Sequence, residues 1–430
     1  MIKGIVRASL DNPLIVILAT VLTVVTGILA IRSIPLEAIP DISPTQVIVK
    51  TSYPGQAPQV VQDQVTYPLE TTLQEVPGAR AVRGYSMFGD SYVYVLFKDG
   101  SPIYQARNLV LQYLEQAQNE LPTGVIPALG PNSSGVDWIY EYALTDPSGT
   151  LNLAQLTTLQ NWFLKFAIQG IPGVAQVATV GGMEQEYQVV IHPHRLLSYG
   201  ITLPQVEAAI RAANGETSGS VIDMGESRYI VRTSGYIHSL ADLRQVSLGV
   251  RDGVPVTLQQ VARVQLGPVL PSGIAELNGQ GQVVGGIVMM NQGENANALI
   301  QRIQQKLHKL QSSLPHGVQI VTTYSQRPLI QRSIATLSGK LVEECIAVLL
   351  ITFLFLFRVR SAMVVLIALP IGILAAFVAM YALNIPANTM SLGGIAIAVG
   401  VMVDAPVVMI ENMHKRMESG KKSDPWAAAR

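Results

Sequence analysis

The sequence predicts an α+β membrane protein, with four transmembrane helices and a large region outside the membrane that repeats one α+β (βαβ-type) unit. Three observations carry this expectation. Four apolar stretches approach or exceed the roughly 20 residues that a helix needs to cross a bilayer. About 300 residues between the first and second stretch hold no such run. Within those residues, two proline–glycine punctuation marks recur in the same order.

Composition narrows the classes. The 430 residues are 49% hydrophobic and 13% charged with zero net charge, too apolar for an ordinary soluble protein and without the basic excess of a nucleic-acid binder. Cys345 is the single cysteine and lies in an apolar run, so no intrachain disulfide and no thiolate cluster can form. The 13 methionines are ordinarily core filler, although a thioether is also a soft ligand for Cu(I)-type ions.

The first apolar run, 13–33, follows a short N-terminal segment (1–12) with Lys3 and Arg7. It is longer than a signal-peptide core and lacks a convincing cleavage site, so it reads as an uncleaved first span. Further spans are expected at 340–357, 362–383 and 390–412, followed by a basic tail, 413–430. Arg358 and Arg360, in the loop after the second span, and the Lys415–Lys422 segment agree with a cytoplasmic N-terminus. Residues 34–338 then lie on the outer side of the membrane.

In that region Val76-Pro77-Gly78 ends one helical stretch, and Ile171-Pro172-Gly173 ends another 95 residues later. Leu121-Pro122-Thr123-Gly124-Val125 has its counterpart in Leu314-Pro315-His316-Gly317-Val318. The recurrence indicates two copies of one unit. The second spacing is 143 residues against 45 in the first, which places an insertion of about 98 residues at roughly 182–274. Pro68 should kink the helix 58–75, and Gly89-Asp90 should join two strands. In this first copy nothing resembles a nucleophile, an acid–base pair or a phosphate loop, and no enzyme is expected.

The candidate chemistry lies in the last span. Asp404 is an ionisable residue deep in an apolar helix, costly there and therefore a functional candidate; burial should raise its pKa. Glu411, seven residues on, falls within roughly 20° of the same face at about 100° per residue. It suits either a proton path or a simple interfacial position. Met402 and Met409, also seven apart, point to nearly the opposite face, and Met390 opens the helix. From spacing alone these methionines are packing or ligands for a soft ion. Pro406 removes the helical donor for the carbonyl of Met402. His192 and His194 read as solvated strand-end residues, with a metal pinch as the alternative, and Met289–Met290 is a weaker pair. Glu343 and Glu344 read as interfacial.

Long segments of the chain, IPDISPTQVIVKTSYPGQAPQVVQDQVTYPLE (39–70), VRGYSMFGDSYVYV (82–95), GVDWIYEYAL (135–144), GIAELNG (273–279) and MSLGGIAIAVGVMVDAPVVMIEN (390–412), closely resemble the resistance-nodulation-division (RND) efflux transporters. The likeness is to the heavy-metal branch, of the CusA-type copper/silver kind, and runs essentially end to end. It implies a homotrimeric inner-membrane proton antiporter that exports metal through a periplasmic adaptor and an outer-membrane channel, with no resident cofactor. Residues 34–134 would be the first porter subdomain, 135–181 with 275–335 the second, and 182–274 a docking subdomain. Asp404 and Glu411 fall on the family's proton relay, and Met390, Met402 and Met409 on a methionine relay.

Members exporting zinc, cobalt or nickel carry an Asp six positions before the aspartate; Ala398 stands there, as in the copper/silver branch. Leu270 replaces a relay methionine, Pro406 a small residue, and Ser325-Gln326-Arg327-Pro328 departs from a usual Asp-Arg pair. Family members are roughly twice as long. The resemblance therefore implies an N-terminal half that needs a C-terminal half for the three-methionine site and for the cationic partner of Asp404, and that is inactive without it. The alternatives are half of a pump for other divalent metals or organic compounds, or a non-transporting membrane-anchored scaffold that binds the adaptor.

Overall fold

A computed structural model describes residues 8–37, 39–225, 227–251, 253–269, 273–356 and 359–418. The chain divides into two compact units, one of residues 1–143, 164–178 and 286–430, the other of residues 144–163 and 179–285. Leu270, Arg358 and most of the basic tail lie outside the described residues.

In the first unit, helix α1 (Pro13–Ser33) leads through an extended linker to β1 (Gln46–Ser52). A helix α2 (58–74) follows, then β2 (Ala79–Met87), β3 (Asp90–Phe97), α3 (Ile103–Ala117) and β4 (Pro127–Leu129). The strands form a sheet of order β2-β3-β1-β4. Alternate residues of β1 and β3 are buried, as a sheet covered on one face requires. Val47, Val49, Val93, Val95 and Phe97 meet Val61, Leu69, Leu73, Val110 and Leu114 of the two helices.

The bend expected at Pro68 takes a specific form. Residues Gln62–Thr66 make one π-helical turn just before Tyr67–Gln74. The wide turn accommodates a residue that cannot donate to the preceding turn. It also presents Thr66, whose hydroxyl lies 2.8 Å from both Ser86 Oγ and Ser91 Oγ, a buried polar tie between helix and sheet. The hairpin turns one residue earlier than Gly89-Asp90. Met87 pairs with Asp90, leaving Phe88 and Gly89 in the turn, with Gly89 at φ 73°. Asp90 is thereby placed to accept from Ser52 Oγ at 2.7 Å.

Strands β5 (Trp138–Thr145), β6 (Val174–Gly181), β13 (Val284–Met290) and β14 (Gln319–Ser325) form a second sheet, of order β14-β5-β13-β6. Read from its other end, β6-β13-β5-β14, it has the connectivity of the first sheet, with β5, β6, β13 and β14 in the places of β1, β2, β3 and β4. Helix α4 (153–169) and helix α9 (Ala296–Gln311) take the places of α2 and α3. At Gly286 an added Cβ would lie 2.5 Å from the Tyr142 hydroxyl, so only glycine fits beneath that buried ring.

Between β6 and β13 runs most of the second unit. Strand β7 (Gln185–Ile191) pairs with β12 (Ala262–Pro268) from Gln185↔Pro268 to Ile191↔Ala262. Helices α5 (Pro193–Tyr199), α6 (Leu203–Ala213), α7 (Leu240–Arg244) and α8 (Leu258–Val261) lie between them in sequence, with the hairpins β8 (Glu216–Met224)/β9 (Ser227–Ser234) and β10 (Ser247–Arg251)/β11 (Val254–Thr257). Leu196, Val206, Leu243, Leu258, Val261 and Val264 form a core of their own.

The C-terminal part of the first unit is three helices, α10 (Arg327–Leu356), α11 (Val359–Ala382) and α12 (Thr389–Glu418). Helices occupy all four stretches expected to cross the membrane. Among the described residues, however, only Pro13–Ser33 and Thr389–Met413 are long and apolar enough to do so, with Ile367–Ala382 a shorter apolar helix. The expected span 340–357 is the latter part of a helix that already starts at Arg327, carries Lys340, Glu343 and Glu344, and runs into residues outside the described set. Lys340 and Glu343 pair at 2.7 Å on its exposed side, and Glu344 is half-buried with Oε2 shielded and unpartnered among the described residues.

Candidate functional site

Helix α12 is built to start sharply and then present two different faces. Asn388 caps it, its Oδ1 accepting from the backbone N–H groups of Met390 (3.1 Å) and Ser391 (2.9 Å). Ser391 Oγ in turn accepts from Asn388 N at 2.9 Å. This reciprocal arrangement satisfies N–H groups that a helix start leaves unpaired. From there Leu392, Ile395, Val399 and Ile410 are buried, and Met402 and Val407 pack against the same cluster with Leu369, Ile373 and Phe377 of α11. The spacing of three and four residues is that of a single packed stripe.

Met402 belongs to that stripe. An added Cβ on Gly372 of α11 would lie 2.7 Å from its Sδ, so the thioether sits over a glycine on the neighbouring helix. Met390 and Met409 do not share this setting; they are 73% and 59% exposed. The three methionines are thus spread along one helix at different exposures and are not gathered into a cluster.

Asp404 points away from the stripe and is exposed. The burial expected for it is therefore not supplied by the described residues of this chain, because the contacts of α12 fall on its other side. Glu411, on the same face, is exposed and pairs with Lys415 one turn later at 2.8 Å. The helix continues unbroken through the half-buried Pro406.

The weaker candidates separate from this helix. His192 is the residue before α5 and His194 is inside it, so the strand alternation that would align them does not apply. Among the described residues no three His, Cys, Asp or Glu side chains come together as a metal site. Met289 Sδ accepts from Ser133 Oγ at 3.8 Å, a packing role in the second sheet. Gln326, where an acidic residue was expected, is almost fully buried and donates from Nε2 to the carbonyls of Val136 (2.9 Å) and Trp138 (3.1 Å). A carboxylate could not make those bonds. Arg327 is held to Gln304 Oε1 at 3.1 Å.

Two sheets of one connectivity are thus followed by three long helices, the last of which carries a carboxylate in its apolar stretch. A crystal structure of a heavy metal efflux pump (crystal form II) matches with a TM-score of 0.85 and 32% identity, over 99% of this chain and 42% of the pump chain. The chain belongs to the AcrB/AcrD/AcrF family, whose model matches residues 5–430. Within it, the chain is similar to the cation efflux system protein CusA of Escherichia coli (strain K12), 54% identical over 99% of this chain and 41% of that protein. The putative cation efflux system protein SilA of Salmonella typhimurium is 51% identical over the same shares. The cobalt-zinc-cadmium resistance protein CzcA of Cupriavidus metallidurans is 34% identical over 97% of this chain and 40% of that protein. The likeness to RND transporters of the CusA and SilA kind is borne out. The chain spans about two-fifths of the length of these relatives.

Proposed function

We propose that this chain is the N-terminal half of a proton-driven exporter of Cu(I) or Ag(I) in the inner membrane, and that it works together with a second half. The observation that carries the reading is the division of α12 into a packed stripe and an exposed face bearing Asp404 and Glu411. A carboxylate on a spanning helix costs roughly 2.5–3.5 kcal/mol and faces a partner or a water-filled path. The longer relatives have further chain with which to cover that face. The names of the relatives, which concern cation efflux, support metal as cargo, and soft thioethers suit Cu(I).

In this reading the helices at 13–33, 340–357, 362–383 and 390–412 cross the membrane, and the sheets lie in the periplasm as porter subdomains. Residues 182–274 form the docking subdomain, three copies assemble, and adaptor and outer-membrane channel complete the path. Asp404 and Glu411 carry protons; Met390, Met402 and Met409 pass the metal. The test is Asp404→Asn in cells that supply the second half. Metal tolerance should be lost while membrane assembly persists; unchanged tolerance overturns the proton role.

A further inference from the structure

At the outer end of α1 the first unit lines a cavity of about 500 Å³, within the size range of binding cavities. Every charged side chain among its lining residues is acidic: Glu37 and Asp41 from the linker after α1, and Asp137 from the turn before β5. Tyr381 of α11 is the other titratable group on its wall, and Gln292, Gln326 and Asn384 add neutral amides. Asp137 is only 5% exposed and accepts from Ser134 N at 2.6 Å. Asp41 Oδ1 accepts from Ser43 N at 2.9 Å, while its Oδ2 is shielded and has no partner among the described residues.

Glu37 is half-buried between these two carboxylates and the apolar wall. Burial first, and then repulsion from Asp137 and Asp41, raises its pKa to about 7. The backbone around it is tied to the start of α12. Glu37 N donates to Ala387 O at 3.2 Å, Ala387 N donates to Pro35 O at 3.0 Å, and Leu36 bridges Ala387 in parallel. Ala387 immediately precedes Asn388, the cap of α12. Asp404 lies 16 residues further along, roughly 24 Å at 1.5 Å per residue.

We infer that Glu37 is the outer proton-loading group of this transporter, a positioning residue that takes a proton from the outer water into the acidic cavity and makes the start of α12 sensitive to that charge. The inference rests on the proton-driven reading above. The step is a simple protonation: Glu37 carboxylate accepts a proton from hydronium in the outer water and returns it to water or to the path below. The neutral carboxyl relieves its repulsion with Asp137 and Asp41; the charged one restores it against the strand-like contact that holds the cap of α12.

The test has two arms. Infrared titration of the full chain reconstituted in lipid should show a protonated-carboxyl absorption with a midpoint near 7. Glu37→Gln should remove it, and Asp137→Asn should move the midpoint downward, because one repulsive charge is gone. An unchanged titration in Glu37→Gln would overturn the inference without touching the role of Asp404. In cells supplying the second half, Glu37→Gln should flatten the dependence of metal export on outer pH around that midpoint, and Glu37→Asp should partly restore it. A pH profile unaltered by Glu37→Gln, or loss of export at every pH that Glu37→Asp does not relieve, would overturn it as well.

Discussion

The sheet region 46–129 and the helices α1, α10, α11 and α12 belong to one compact unit, yet they hide opposite things. In the sheet region, aliphatic side chains of β1 and β3 are fully buried against α2 and α3, and charged residues lie outside. In the helices many large aliphatics face outward: Leu14 is 80% exposed, Ile397 77% and Val401 70%. Between them the helices bury one stripe, with Leu369, Leu392, Ile395 and Val399, and glycines stand at two close contacts: Gly27 of α1, whose added Cβ would lie 2.7 Å from Leu374 Cβ of α11, and Gly372 under Met402. Apolar surface drives the first region together because water is its solvent. Outward aliphatics with small residues at the contacts are the pattern of helices that associate in lipid through close packing. The difference accords with the reading proposed above, in which the helices cross a membrane and the sheets lie in water.

The largest effect that would sharpen this contrast is a truncation in the buried core of the sheet region. Leu69→Ala removes a fully buried side chain between α2 and the sheet. It should cost about 2–5 kcal/mol of stability, read as a lower unfolding midpoint of the purified chain. The matching truncation Leu14→Ala, on an exposed helix position, should leave that midpoint in place. Equal losses at both sites would erase the distinction.

A smaller effect is expected where the helices touch. Gly27→Val puts branched carbons where Leu374 already stands, and overpacking of this kind costs about 1–3 kcal/mol. Limited proteolysis should then cut the helix-to-helix connections sooner while the sheet region stays protected. Protection unchanged throughout would mean that the α1–α11 contact does not hold the helices together.

How much of this is legible in the sequence follows the same line. Alternation in QVIVKTS and YVYVLF marks β1 and β3, and Val76-Pro77-Gly78 lies where α2 gives way to β2, because local backbone chemistry sets those features. The turn sits at Phe88-Gly89, one residue from the expected place, because register belongs to the whole β2–β3 ladder and not to the dipeptide. Length and hydropathy locate the helices, but not the start of α10 at Arg327, since its first turns are polar. Charge alone singles out Asp404. Its exposure is not legible, because the face a helix packs depends on neighbours that no local pattern names. Glu37 gives no signal in the sequence: an acidic residue in a linker is ordinary until the fold sets Asp137 beside it.

Met402 gives the smallest structural effect and the most discriminating one. Its side chain occupies the packed stripe of α12 above Gly372, so any substitution there is read through both packing and chemistry. Leucine has nearly the same volume and is apolar, and such exchanges cost less than about 1.5 kcal/mol. Met402→Leu should therefore leave folding and membrane insertion close to unchanged. Met409 is 59% exposed, so Met409→Leu should disturb packing even less. What both exchanges remove is a soft sulfur donor. In cells that supply the second half, the double variant should lose tolerance to Cu(I) and Ag(I). The proton role proposed for Asp404, on the opposite face, should persist. If tolerance is kept, the methionines of α12 are packing residues, and the two faces differ only in what they touch; if tolerance alone is lost, one face moves protons and the other moves metal.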